Sequence, residues 1–127
     1  MKKKSPSPFD SFSALSLFLP SGLLDYFDLV NGVTQDTCFI LYLEEKPVIP
    51  DEYSHLSLHS KGFFPEIEVQ DFPIRGKAVY LRIKRRRWET PSTGQTYSRD
   101  WNLVATGTRI TAEFGAFLKD LLRQSCS

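Results

Sequence analysis

Residues Arg75–Trp88, RGKAVYLRIKRRRW, constrain this chain more than any other stretch. Val79, Leu81 and Ile83 alternate with Tyr80 and Arg82, the period of two that a strand with one buried face requires. Continued through Lys84, Arg85, Arg86 and Arg87, the alternation puts Tyr80, Arg82, Lys84, Arg86 and Trp88 on the opposite face. The expected strand therefore has an apolar side and a basic, aromatic-ended side. Four adjacent cations repel one another, and a polyanion is the compensator that this pattern suggests, through phosphate contacts and counterion release. The plainer reading is a solvated edge strand whose charges block unwanted pairing.

The formal net charge of +1 conceals a split. Before residue 75 there are 5 Lys/Arg against 11 Asp/Glu; from there on there are 11 against 4. Such asymmetry suggests one half that faces nucleic acid and one that does not. The 127 residues suit a single domain. Two cysteines, Cys38 and Cys126, cannot make a four-ligand zinc site, and neither sits at ligand spacing from His55 or His59. Lys2–Lys4 followed by apolar residues resembles a secretory leader only superficially: Ser-Pro-Ser-Pro and Asp10 intervene, and no small-residue cleavage site follows. Residues 1–10 read as a disordered basic leader and 11–127 as one domain. No run is long enough to span a bilayer, so a cytoplasmic protein without a membrane partner is expected.

In chain order, Phe12–Leu19 suggests a short helix ended by Pro20. Ser21 caps a second, with Leu23, Leu24, Phe27 and Val30 on its apolar side and Asn31-Gly32 at its end. Thr37–Leu43 is a nearly continuous apolar strand, expected to be central. Glu44–Glu52, EEKPVIPDE, reads as a solvated acidic loop, since nothing in the sequence would desolvate its carboxylates. Tyr53–Lys61 is ambiguous between helix and strand, with His55 and His59 read as surface residues. Glu66–Phe72 alternates as a strand ended by Pro73, and Arg75-Gly76-Lys77 is a tight connection. Thr90–Gly94 is a turn, and Gln95–Val104 the strand returning from it, which makes 75–105 a basic hairpin. A final helix over 111–123 carries Phe114, Phe117, Leu118, Leu121 and Leu122 as a core stripe or docking face. The expected fold class is α+β: a small antiparallel β-meander with short N-terminal helices and a C-terminal helix.

From Val69 onward the residues resemble a known family. VQDFPIRGKAVYLRIKRRRW is similar to the zinc-ribbon N-terminal module of bacterial insertion-sequence transposases, through Asp71, Pro73, Gly76, Val79, Leu81 and Arg85–Arg87. RDWNLVATGTRITAEFGAFLKDLL resembles the segment joining that module to a helical DNA-binding part, with Arg109 and Thr111 opening the helix. The likeness extends over most of the chain from Leu23 and is nearest to the N-terminal-region protein of split-gene transposases. It implies a zinc-ribbon-like meander. The place of the cysteine knuckle is held here by Glu89–Gly94, so no metal or other cofactor is carried over. Phe63, Phe64, Phe72, Trp88, Tyr97 and Trp101 are the residues expected to replace the metal as a core.

On this reading the chain is a non-catalytic module binding double-stranded DNA at the element's terminal repeats. Arg82, Lys84, Arg85, Arg86 and Arg87 would contact phosphates, with Lys77, Arg99 and Arg109 in support. The alternatives are an interaction module that docks a separately encoded catalytic subunit or a second copy of the chain as a homo-oligomer, and a general RNA binder. Catalysis is not expected: there is no phosphate-cradling glycine loop, no nucleophile elbow and no histidine pair with a glutamate between.

Overall fold

The structure, a computed structural model, describes residues 19, 20, 22–101, 103, 104 and 112–125, except the side chains of Phe72, Ala112, Glu113 and Ser125. The leader, the first expected helix up to Phe18, Arg109, Thr111 and Cys126 lie outside them.

The apolar run does form a central strand, β2 (Cys38–Glu45). It pairs antiparallel with β1 (Phe27–Thr34) and parallel with β5 (Lys77–Lys84). β5 also pairs antiparallel with β4 (Ile67–Ile74), so the sheet runs β1-β2-β5-β4. Arg75 and Gly76, at φ of 52° and 80°, turn β4 into β5. One face of the sheet buries Leu41, Leu43, Val69, Val79, Leu81 and Ile83. The helix at 112–125 covers that face with Phe114, Phe117, Leu118 and Leu121, so its apolar stripe is core. A second sheet, order β3-β6-β7, joins His59–Phe63, Arg86–Glu89 and Thr96–Tyr97. The class is α+β, as the pattern along the chain indicates.

Several elements differ from expectation. The second helix is one turn, α1 (Leu23–Tyr26), and Phe27–Thr34 is strand. Pairing with β2 overrides the helical spacing, and a bulge between Leu29 and Asn31 leaves Val30 46% exposed. Pro73 does not end β4; it sits at the open edge beside a second irregularity, where its missing N–H costs no ladder bond. Tyr53–Lys61 resolves into a 3-10 turn at Asp51–Tyr53 and the start of β3. The return strand shrinks to Thr96–Tyr97, because Asp100 Oδ1 accepts the Leu103 N–H and starts a helical turn through Trp101 and Val104. It pairs with β6 rather than β5, so the meander keeps β4 and β5 while its third strand is replaced by the parallel β2.

Gly22 opens α1 at φ 98°, and a Cβ there would lie 3.1 Å from the Phe114 ring. Gly22→Ala should therefore lower stability by about 1–2 kcal/mol, the left-handed penalty for a side chain, read as a lower urea midpoint at unchanged slope.

Candidate anion-binding cleft

The expected basic face of β5 is neutralised by its neighbours. Parallel pairing places Glu44 beside Lys84, and antiparallel pairing places Glu68 beside Arg82, with Nε to Oε1 at 2.8 Å. Glu66 lines a shallow groove with Arg82 and Lys84. Lys77 donates to the Gln35 carbonyl at 3.0 Å and lies over the Phe39 ring. Arg87 is exposed and reaches the Lys61 carbonyl at 3.2 and 3.3 Å. The strand does not run straight through the block: Arg85 is a joint at which the chain leaves the first sheet for the second.

That joint closes on Glu45, which is 1% exposed. Leu41, Leu43 and Glu45 share the inward face of β2, so the carboxylate is carried to the end of the core. Its Oε1 accepts the Arg86 backbone N–H at 2.9 Å, and its Oε2 accepts Arg99 Nε–H at 3.1 Å. Arg86 returns the contact by donating from Nε to the Glu45 carbonyl at 3.0 Å, and from its other arm to Ser60 Oγ at 2.7 Å. Arg99 also donates to the Val48 carbonyl at 3.1 Å and lies against the rings of Tyr26 and Trp101. Burial pushes the Glu45 carboxyl above its ordinary value, and the Arg86 and Arg99 contacts only partly offset that. The acidic stretch expected to be a solvated loop thus contains a buried carboxylate, Glu45, at the end of β2. Its signal was present in the alternation Leu41, Leu43, Glu45, read two residues further.

Arg85 differs from its neighbours. Its guanidinium lies 5.2 Å from the Phe64 ring, and its Nε is buried without an acceptor among the described residues. Burial lowers its pKa, against the pull of Glu45. Arg85 lines a cleft of about 330 Å³ with Tyr53, Ser98, Arg99, Asp100, Trp101 and Leu122. The indole N–H of Trp101, a residue 4% exposed, also finds no acceptor among the described residues. Tyr53 donates to the Ser98 carbonyl at 2.9 Å and closes one side. Two residues of this opening, Arg85 and Trp101, thus each carry a buried N–H without an acceptor among the described residues, a costly arrangement unless something accepts from it. The larger cleft, about 660 Å³ between β4 and the C-terminal helix, mixes carboxylates with Arg123, which is itself paired to Asp120. Of the aromatics expected to form a core, Trp88 and Trp101 are buried, and Trp101 stacks on Phe27 at 5.3 Å.

These features define a small α+β domain with a cleft lined by Arg85, Arg99 and Trp101 beside a buried ion pair. Among the described residues no group of three His, Cys, Asp or Glu could hold a metal, and no helix is long and apolar enough to cross a membrane. In sequence the chain is similar to a molybdenum cofactor sulfurase of Emericella nidulans, 31% identical over 100 residues. The match takes in 72% of this chain and only 12% of that protein's length. No family model and no solved structure matches.

Proposed function

We propose that the chain is a non-catalytic binding domain, of the kind a larger cytoplasmic molybdenum-cofactor-handling protein would carry, and that it holds an oxyanion in the cleft at Arg85. The carrying observation is that Arg85 and Trp101, whose Nε–H and Nε1–H find no acceptor among the described residues, line one opening. A phosphate or carboxylate supplies acceptors for such donors and adds counter-charge to a guanidinium that otherwise shares Glu45 with Arg99. The likeness to a molybdenum cofactor sulfurase supports the molybdenum cofactor as the ligand to test. Titration with inorganic phosphate should shift the Trp101 indole proton resonance and saturate. Arg85→Gln should weaken binding about tenfold or more, as loss of a hydrogen bond from a charged donor implies. A response that does not saturate, or that survives Arg85→Gln, would overturn the reading.

A second reading, a DNA-binding arm of an insertion-sequence transposase, is favoured by the exposed Arg87 and Lys61 side by side on the second sheet. It expects duplex binding whose log–log salt slope falls by about 2–3 when Arg85, Arg86 and Arg87 become alanine. Binding that ignores both salt and the triple substitution would remove it.

A further inference from the structure

The cleft shares its cations with Glu45. Arg99 lines the cleft and donates to Glu45 Oε2, while Arg85 lines the same cleft within electrostatic reach of that carboxylate. An arriving anion would thus be the second negative charge on one set of guanidinium groups, in a place where Glu45 is 1% exposed. Two negative charges so close favour protonation of the one that can take a proton. We infer that oxyanion binding in the cleft is coupled to uptake of one proton by Glu45, so that an external anion replaces the internal carboxylate as counter-ion to Arg85 and Arg99. This rests on the cleft reading above and adds its regulation: affinity rises as pH falls.

The other charged groups around Glu45 leave it as the proton acceptor. Arg86 of β6 holds Oε1 through its backbone N–H, a bond that a neutral carboxyl oxygen still accepts. On the β1 side, Asp28 and Lys46 form their own ion pair at 2.9 Å with solvent access. Across the cleft, Glu52 accepts the Asp100 N–H and Asp100 caps the Leu103 N–H, so both carboxylates are already engaged with backbone donors. Tyr53 is held protonated by burial and by those two acids. Neutral Glu45 would release the Arg99 Nε–H toward the opening while Arg99 keeps its bond to the Val48 carbonyl. Linkage makes the effect reciprocal, so the bound anion raises the proton affinity of Glu45 by the factor that the proton raises anion affinity.

Sulfate is the probe, because it does not titrate between pH 5 and pH 8. Calorimetry of the whole chain in two buffers of different ionisation enthalpy should show uptake approaching one proton per sulfate near neutrality. The association constant should then rise up to about tenfold per unit fall in pH, flattening once Glu45 is protonated in the free protein. Glu45→Gln should bind sulfate with no pH dependence and at least as tightly as the parent at low pH. Paired His55→Gln and His59→Gln substitutions should leave the uptake intact. Sulfate binding without proton uptake in the parent chain would overturn the coupling and leave the cleft standing, a result that needs no variant to fold. No sulfate binding at any pH would remove both.

Discussion

Arg99→Ala should cost about 3–5 kcal/mol at neutral pH, because it removes the guanidinium that pairs directly with the buried Glu45 carboxylate. Against the ~5–15 kcal/mol typical of a domain, that is a large part of the total. The pair is 12% and 1% exposed, so water cannot take over the missing contact. The loss should depend on pH in a defined direction. Burial holds the folded Glu45 above its ordinary 4.5. A folded pKa above the unfolded one means that the native state binds the proton more tightly. Stability from this group is therefore fully present below about pH 4.5 and is lost as pH rises through the folded value. Removing Arg99 raises that value further, so the deficit should be smallest in acid and widen toward neutrality. Urea denaturation at pH 4 and pH 7 reads both. An equal deficit at the two pH values would mean that the pair is not ionised as drawn. Glu45→Met combined with Arg99→Met should recover much of the loss, since apolar replacements leave no stranded charge.

Phe27→Ala should cost a similar ~3–5 kcal/mol, by the cavity it leaves as well as the lost transfer energy. Phe27 is 0% exposed, stacks on Trp101 and meets Phe117 edge-on at 6.1 Å. It ties the first strand, the helical turn at Trp101 and the C-terminal helix to one another, and is the register partner of Glu45. Phe27→Leu, which keeps most of the volume, should cost much less. Thermal unfolding of the two variants distinguishes a packed ring from one that merely covers surface. Equal, small losses would show that the ring is not part of a tight core.

The parts of the fold legible along the chain are those that local physics settles. β2, β4 and β5 announce themselves by apolar runs or alternation, the Arg75-Gly76 turn by its glycine, and the C-terminal helix by its stripe. Phe27–Thr34 was misleading because Leu23, Leu24, Phe27 and Val30 also satisfy helical spacing, and only an available β2 edge makes the strand preferable. The same limit governs the site. Periodicity shows correctly that Arg82 and Lys84 leave the apolar face of β5. It carries no information about Glu68 and Glu44, which reach them from strands 14 and 40 residues away in register. Nor could it find the Glu45–Arg99 pair, separated by 54 positions. Side-chain alternation is a property of one strand and is written in its own residues. Which charge meets which is a property of strand order, and that order is set by how the apolar faces close together.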